Sequence, residues 1–512
     1  MSDLQKYKYS LYFLKENIQF YIKKTAFLSH NARIQKKELI MLTYSFDKRG
    51  GQSLYEYLYN CMKTDIINGV LSPNEKLPSK RAFASNHGIS IVTVENTYGQ
   101  LMAEGYIYSK PKSGFFVSPI QSQIVSVNNE SDLIEAQKPY VHDNSINLIS
   151  NHTAPENFPF SIWAKLTRQI LSEQSPDLLV PPPAGGVPEL RTAIARHLHE
   201  FRGINASPEQ IMIGAGTEYL YGLIVQLLGR DLVYGLENPS SKKIRSIYEA
   251  LGVKVAPLEM DEEGIQLDAR NLTIPDIIQI SPSHHFPTGI VTSVSRRYGL
   301  LQWANESNSR YIIEDDFDSE FRLQGKPIPS LFSMDTTDKV IYFNTFTKSL
   351  ASTIRISYMV LPKSLLHLYY NKLGFYACTV SNFEQYTLAA FIREQYFEKH
   401  INRMRNHYRS LRDELIAGFK QSPLADRITI SQENAGLHFL LHIDSKKSDQ
   451  ELQAMAQAHD ITLAFVSDYY SFDFKSDISR YDHTAIINYS GLNIDDIPVV
   501  IKRLSSAWCE LL

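Results

Sequence analysis

The chain has 512 residues, of which 43% are hydrophobic and 21% charged, and a formal net charge of -3. These values indicate a globular protein of more than one domain and exclude a basic surface spread over the whole molecule. The three cysteines have no metal-ligand spacing, which fits a reducing cytoplasm, and no apolar run reaches the roughly 20 residues of a membrane helix.

Residues 1–45 are interpreted as an N-terminal extension. Charged residues, among them Lys15 and Glu16, interrupt its apolar stretch, and no small-residue cleavage site follows. This pattern argues against a signal peptide.

Residues 46–118 have the pattern of a winged helix-turn-helix. Helical spacing predicts one helix that ends at Gly69, a second that ends at Gly88 and a third that begins after Ser90, a favourable N-cap. The segment "YIYSKPKSGFFV" predicts a hairpin. Because the third helix of such a module enters the major groove, double-stranded DNA is the predicted partner. The alternative is a small protein-binding domain whose lysines are solvated.

The candidate DNA contacts lie at the start of the third helix, at the start of the second helix and at the wing turn. They are Ser90, Thr93 and Asn96, then Ser79, Lys80 and Arg81, then Lys110 and Lys112. The combination of "LPSKRAF", "EGY" and "SGFFV" resembles the winged-helix domain of the GntR regulators. Where that family often has arginine and asparagine, this chain has Ile91 and Val92, so the resemblance implies no particular operator sequence.

Residues 119–148 are polar without a sustained period and predict a linker. In residues 149–512, buried strands such as "QIMIG", "YIIEDDF" and "KVIYFN" alternate with helices. This alternation predicts a mostly parallel sheet covered by helices, followed by a small C-terminal α/β lobe.

Lys348 follows the strand "KVIYFN", where burying a lysine is costly. Burial and a neighbouring cation, for which Arg355 is the candidate, would lower the pKa of this amine. A neutral amine can form a Schiff base with an aldehyde, and the commonest aldehyde cofactor is pyridoxal 5'-phosphate.

Such a cofactor requires three further groups, and each has a candidate. The carboxylate for the ring nitrogen is Asp315, and a turn at "SPSHHFPTG" brings His285 or Ser283 near the ring. The phosphate site consists of the backbone of Ala215, Gly216 and Thr217, with Thr345 or Thr347 adding a hydroxyl. Each signal alone has an ordinary alternative, such as a tight turn or a solvated acidic loop. The paired histidines have no third ligand at metal spacing, so no metal is predicted.

Together the motifs "GAGTEYL", "SPSHHFPTG", "EDDFDSEFR" and "FTKSLASTIRISYMVLP" resemble fold-type I aminotransferases, and with the N-terminal module they resemble the MocR branch of the GntR regulators. The resemblance implies an aminotransferase-like domain that binds pyridoxal phosphate, and a cytoplasmic, head-to-tail homodimer. It also implies that Lys348 is the Schiff-base lysine, that Asp315 is the partner of the ring nitrogen, and that Arg355 meets phosphate or a ligand carboxylate.

The chain departs from this pattern at several ring contacts. Phe317 replaces a tyrosine, Phe286 replaces an asparagine, Ser241 replaces a stacking aromatic residue, and Lys243 stands where the GABA-responsive member has arginine. The carboxylate-binding arginine of aminotransferases has only uncertain counterparts, Arg427 and Arg480. We therefore expect binding without efficient transamination.

The predicted function is a DNA-binding transcriptional regulator that senses pyridoxal phosphate, an amine or an amino acid. The alternatives are a working aminotransferase with a DNA-binding domain, and a regulator whose second domain is a scaffold without the cofactor.

Overall fold

The computed structural model describes the chain in two compact units, Met1–Tyr140 and Val141–Leu512. The described residues are 43–46, 50–119, 145–149, 153–173, 176–267, 274–323, 325, 328–434, 436–471 and 478–508. The predicted extension and linker therefore fall almost entirely outside them. The second unit begins somewhat before the predicted residue 149.

The first unit is a three-helix module with a hairpin. Its elements are α1 (Leu54–Ile67), α2 (Lys80–His87), α3 (Ile91–Ala103), β1 (Ile107–Lys110) and β2 (Gly114–Val117). Ser79 and Ser90 cap α2 and α3, because each side chain accepts a hydrogen bond from a backbone N–H in the first turn. Gly88 ends α2 with a φ of 64°, a left-handed conformation that favours glycine.

The second unit is built on an eight-stranded sheet with the order β4-β11-β10-β9-β8-β5-β6-β7. The strands of this unit are β3 (Ile146–Asn147), β4 (Ile211–Gly214), β5 (Val233–Asn238), β6 (Lys254–Asp261), β7 (Gly264–Ile265), β8 (Ile277–Ile280), β9 (Tyr311–Asp315), β10 (Val340–Thr345), β11 (Ser357–Val360), β12 (Ile428–Ser431), β13 (His438–Ile443), β14 (Ile461–Thr462), β15 (Ala464–Phe465) and β16 (Thr484–Asn488). The pairs β10–β9, β9–β8, β8–β5 and β5–β6 are parallel, whereas β11 is antiparallel to both of its neighbours. The predicted mostly parallel sheet is confirmed.

Helices cover both faces of this sheet. They are α4 (Phe160–Glu173), α5 (Pro188–Arg202), α6 (Thr217–Leu228), α7 (Lys242–Ala250), α8 (Val294–Asn305), α9 (Leu331–Met334), α10 (Phe346–Ser349), α11 (Lys363–Leu373), α12 (Asn382–Arg393), α13 (Tyr396–Gln421), α14 (Asp449–Gln457) and α15 (Ile497–Ala507). In β10, Tyr342 belongs to one apolar cluster and Phe343 to another, because successive side chains of a strand point to opposite faces. A strand that is covered on both faces has an unbroken apolar run, which explains the sequence of β10.

The end of the chain forms the predicted smaller lobe. Its antiparallel sheet has the order β12-β13-β16-β15. The 26-residue helix α13 connects the lobe to the large sheet, and Leu415 and Phe419 of this helix join Phe439 of β13 in one apolar core. β3 pairs with β14, so residues 146–147 belong to this unit. None of the helices that the structure describes combines the length and the apolar character that a membrane span requires.

Candidate functional site

The strand register brings the predicted site residues to one edge of the sheet. Gly214 at the end of β4 pairs with Ser357 of β11, and Ser357 pairs with Thr345 at the end of β10. In the next strand, Asp315 pairs with Phe343 of β10. Parallel strands place their carboxyl ends at the same edge, where open α/β sheets bind ligands. The glycine turn, the lysine helix and the carboxylate therefore meet at this edge.

A pocket of about 300 Å³ opens there. Its walls come from α6, α7, α10, the ends of β5, β8, β9 and β10, the turn after β8 and the loop before β11. The lining residues are Thr217, Glu218, Tyr221, Leu236, Glu237, Ser240, Ser241, Lys243, Ile244, Ile247, Gln279, Ser281, Phe286, Asp315, Phe317, Thr345, Thr347, Lys348 and Arg355. Most of the predicted cofactor contacts thus share one cavity.

Lys348 lies on the single-turn helix α10 and is only partly exposed. Burial lowers the pKa of its amine to about 8, and repulsion from Lys243 acts in the same direction, whereas Asp318 and Asp315 oppose the shift. The predicted cation was Arg355, but Lys243 takes this role. Among the described residues, the amine of Lys348 has no ion pair or hydrogen bond.

Asp315 is buried beneath the same pocket. Its Oδ2 accepts a hydrogen bond of 2.9 Å from the hydroxyl of Tyr221, while Oδ1 is buried without a partner in the described structure. Burial raises the pKa of Asp315 to about 6, against the effect of the Tyr221 hydrogen bond. Because this pKa is below 7, the carboxylate is mostly ionised at pH 7. Its Oδ1 can then accept a hydrogen bond from a further donor.

Tyr221 belongs to a hydrogen-bonded chain that the sequence pattern does not predict. Gln279 Nε2 donates to the Tyr221 hydroxyl over 3.1 Å, and the Tyr248 hydroxyl donates to Gln279 Oε1 over 2.6 Å. These groups fix the donor that faces Asp315. One signal was available, because Tyr221 lies four residues after Thr217 and so shares its helix face.

The three acidic residues of "EDD" have separate roles. Glu314 accepts hydrogen bonds from the backbone N–H groups of Leu331 and Phe332, and Asp316 forms a 2.8 Å ion pair with buried Arg202. Asp315 alone lines the pocket. The alternation of side chains along a strand explains why the middle residue faces the opposite side from its neighbours.

The predicted phosphate site lies where α6 begins. The N–H of Ala215 donates to Thr379 Oγ1 over 3.0 Å and that of Gly216 donates to Gly214 O over 2.8 Å, so the free helix donors begin at Thr217. Gly216 has a φ of 94°, and a Cβ at this position would overlap the guanidinium of Arg355. Arg355 therefore packs directly over the glycine turn.

Glu218 neutralises the cations at this end of the pocket. Its carboxylate accepts a 3.2 Å hydrogen bond from Arg355 Nη2 and also pairs with Lys243. An incoming anion would compete with Glu218 for Arg355.

The threonine hydroxyls beside Lys348 bond each other and the neighbouring strand. Thr345 Oγ1 donates to Thr347 Oγ1 over 2.8 Å and accepts from Ser357 Oγ over 2.8 Å.

The histidines of the predicted turn lie outside the pocket, although Ser281 and Phe286 of the same turn line it. His285 does not line the pocket; its Nδ1 is 2.7 Å from Thr288 Oγ1 and its Nε2 is 3.5 Å from Glu237 Oε2. Burial lowers the pKa of His285 to about 3, and burial raises that of Glu237 to about 8, so both are neutral at pH 7. Ser283 accepts a hydrogen bond from Arg202 over 3.2 Å and is likewise outside the pocket.

Phe286 and Phe317 both line the pocket and bring apolar rings to it. The ring of Phe286 makes edge-to-face contacts with Tyr469, at a centroid distance of 5.1 Å, and with His438, at 5.4 Å. The candidate arginines of the C-terminal region lie elsewhere, since Arg427 pairs with Asp444 and Arg480 with Glu262.

The predicted DNA contacts lie on the first unit at the starts of α2 and α3 and in the wing. Arg81, Asn96, Lys110 and Lys112 are exposed. Lys80 forms a 2.7 Å ion pair with Glu95.

Two of the predicted DNA contacts, Ser79 and Ser90, form hydrogen bonds within their own helices. Ser79 Oγ accepts from the N–H of Ala82 over 3.2 Å. Ser90 Oγ accepts from the N–H of Thr93 over 3.0 Å, and the two hydroxyls are 2.8 Å apart. Ser79, Ser90 and Thr93 therefore stabilise the helix starts.

Two protein families match the two units. Residues 54–117 match the family described as bacterial regulatory proteins, gntR family, and residues 143–472 match aminotransferase class I and II. Among solved structures, the second unit is similar to a kynurenine aminotransferase from Pyrococcus horikoshii, with a TM-score of 0.63 and 22% identity over 72% of this chain and 92% of that chain.

Curated relatives contain both units. The chain is 37% identical to a protein of Bacillus subtilis (strain 168) named uncharacterized HTH-type transcriptional regulator YdeL, over 89% of this chain and 96% of that protein. It is 28% identical to the probable rhizopine catabolism regulatory protein MocR of Rhizobium meliloti, over 91% of this chain and 96% of that protein. The similarity thus covers the order of the two units as well as each unit.

Proposed function

Because this chain belongs to the GntR-type transcriptional regulators of the MocR subfamily, which join a winged helix-turn-helix domain to an aminotransferase-like domain, we propose that its second unit binds pyridoxal phosphate at Lys348. We further propose that occupancy of this pocket, by the cofactor itself or by a primary amine or amino acid, controls DNA binding by the first unit as a homodimer.

One observation carries the proposal: Lys348 and Asp315 face the same pocket, and the buried Oδ1 of Asp315 has no partner among the described residues. An unpaired buried carboxylate oxygen is costly unless a donor reaches it. The protonated pyridine nitrogen of pyridoxal phosphate is such a donor. The residues present therefore fit the cofactor.

The fit extends to the other end of the pocket. Arg355 and the start of α6 offer positive charge and free N–H groups, which suit a phosphate dianion. Thr345 and Thr347 add hydroxyls beside Lys348. These residues would hold the phosphate, while Asp315 and Tyr221 keep a proton on the ring nitrogen.

Lys348 would provide the covalent attachment. With a pKa of about 8, about one amine in ten is unprotonated at pH 7, far more than for an ordinary exposed lysine. When bound, pyridoxal phosphate supplies an aldehyde that reacts with primary amines. An amine or amino acid that enters the pocket could therefore take the place of the Lys348 amine on this aldehyde.

The pocket supports sensing better than turnover. Phe317 and Phe286 offer no hydroxyl or amide, and Ser241 offers no aromatic face, so the ring lacks three constraints on its orientation. Rapid transamination requires a pre-organised ring, whereas binding requires only the lysine, the carboxylate and the anion site. A ligand controls DNA binding only if it binds two arrangements of the protein with different affinity.

The test uses the purified full-length protein. After incubation with pyridoxal phosphate, reduction with borohydride and removal of free cofactor, the wild type should carry one cofactor on the peptide that contains Lys348. Lys348→Ala should carry none there. Lys339→Ala is the matched control, because the amine of Lys339 bonds the backbone oxygen of Ser307 outside the pocket.

Regulation is tested by DNA binding with and without cofactor, and with candidate amines added to the loaded protein. A wild type that retains no cofactor would refute the proposed site. A loaded protein whose DNA affinity is unchanged by cofactor and amines would refute its regulatory role. Sedimentation at several concentrations tests the proposed homodimer.

A further inference from the structure

The helix α3 has an apolar pair at its exposed beginning. Ile91 and Val92 keep 47% and 62% of their surface exposed, whereas Val94, Tyr98 and Leu101 of the same helix are completely buried. The core of this unit therefore does not use the first two residues of the helix. Exposed branched apolar side chains at the start of such a helix are best buried against an apolar group of the DNA.

The polar groups of this first turn are already engaged. Ser90 caps the helix and its hydroxyl lies 2.8 Å from that of Thr93. One turn later, Glu95 is paired with Lys80 at 2.7 Å. At its beginning, then, the exposed face of α3 offers chiefly the methyl groups of Ile91 and Val92, with Asn96 as the nearest exposed amide.

The major groove contains one apolar group. Thymine presents its 5-methyl group there, whereas the edges of adenine, guanine and cytosine present hydrogen-bond donors and acceptors. Valine and isoleucine have no side-chain donor or acceptor, and burying a base-edge polar group against them would leave it unsatisfied. Among the four bases, thymine is therefore the one these side chains fit.

Basic side chains of the first unit support the placement of α3 in the major groove. Arg81 on α2 and Lys110 and Lys112 in the wing are exposed on the same unit, and basic side chains of this kind bind phosphates and fix orientation. The N-terminal residues of a recognition helix are those that reach base edges.

We propose that Ile91 and Val92 read the DNA site through the 5-methyl groups of thymine. The proposal rests on the proposed DNA binding and adds the chemistry of recognition: a site selected by this protein has thymines at the positions that face the start of α3.

The experiment begins with selection of binding sites from a random duplex pool by the full-length protein at fixed salt. Each thymine of the selected site is then replaced by uracil, which removes only the 5-methyl group. Affinity should fall about fourfold for each methyl group buried against Ile91 or Val92, the effect of burying one such carbon. Thymines elsewhere should tolerate the replacement.

Variants assign the effect to the two residues. In Ile91→Ala with Val92→Ala, the penalty for uracil at the sensitive positions should disappear, because the methyl group no longer has a contact. Met102→Ala is the matched control: Met102 is 45% exposed on the last turn of the same helix, and this variant should retain the full penalty. Arg81→Ala should weaken all sites equally and lower the salt dependence.

The outcomes separate this inference from the proposed function. If no duplex is bound above background, the DNA-binding function itself is wrong. If a site is selected but every uracil replacement leaves affinity unchanged, the inference that Ile91 and Val92 recognise thymine is wrong, whereas the proposed DNA-binding function stands. If the double variant changes the oligomeric state while the uracil penalty persists, the pair packs against a second copy and the inference is overturned.

Discussion

Replacing Tyr221 with phenylalanine removes one hydroxyl from the buried network under the pocket. That hydroxyl donates to Asp315 over 2.9 Å, and this bond is the largest influence that opposes the rise of the Asp315 pKa. A hydrogen bond to a charged group contributes about 1.5–3 kcal/mol, so its loss raises the proton affinity of the carboxylate about ten- to hundredfold. The pKa of Asp315 should move from about 6 to above neutrality.

The expected result is a loss of cofactor affinity that depends on pH. The wild-type carboxylate is ionised at pH 7, whereas most of the variant carboxylate is protonated and cannot accept the ring-nitrogen proton. Tyr221→Phe should bind pyridoxal phosphate about tenfold more weakly at pH 7 and approach the wild type near pH 9, where Asp315 is ionised in both proteins. The ratio of the two affinities at each pH cancels the titration of Lys348, which both proteins share.

The assay is a cofactor titration followed by visible absorbance between pH 6 and pH 9. Tyr234→Phe is the control, since this buried hydroxyl donates to the backbone oxygen of Gly229 at 3.1 Å and forms no hydrogen bond with Asp315. Wild-type affinity in Tyr221→Phe at all pH values would refute the reasoning. A deficit that does not change with pH would show that the tyrosine acts by packing alone.

Four further substitutions test other parts of the second unit. Glu218→Gln should raise the affinity for inorganic phosphate about 1.4- to fivefold by calorimetry, because it frees Arg355 from a partly exposed ion pair of about 0.2–1 kcal/mol; unchanged affinity would mean that Glu218 does not compete. Gly216→Ala should weaken phosphate binding without unfolding the protein, since its Cβ displaces Arg355, and equal binding would contradict the packing described. Phe317→Tyr should speed single-turnover reaction of the loaded protein with amino acids, and no gain would show that the missing hydroxyl is not limiting. Arg202→Met should lower the free energy of unfolding by about 3–5 kcal/mol in chemical denaturation, because it leaves the buried carboxylate of Asp316 without its cation and with only the hydrogen bond from Tyr342, and a change below about 1 kcal/mol would contradict this.

The architecture was predictable because it follows from local rules. Helical spacing and serine caps mark the three helices of the first unit, and apolar runs alternating with helices predict the mostly parallel sheet of the second. Asp315 ends one such strand and Lys348 follows another, and parallel strands end at the same edge, so their proximity could be inferred.

The partners of the site residues could not be inferred in the same way. In the sequence, Tyr221 looks like an aromatic residue of the core. Only the packing of α6 against the ends of β8 and β9 shows that its hydroxyl donates to Asp315. The cation that repels the amine of Lys348 is Lys243 of α7, which is distant in the sequence and lines the same pocket. His285 belongs to the predicted turn, but its ring faces Glu237 behind the wall.

Phe286 has two kinds of neighbour: its ring forms part of the pocket wall and also touches Tyr469 and His438 of the smaller lobe. A molecule that fills the pocket and displaces this ring must also change the packing of the lobe, since close-packed interiors transmit small shifts. An asparagine at this position would serve the chemistry of a bound ring. A phenylalanine instead packs against the smaller lobe, so under the proposed function it would connect occupancy of the pocket to the arrangement of that lobe.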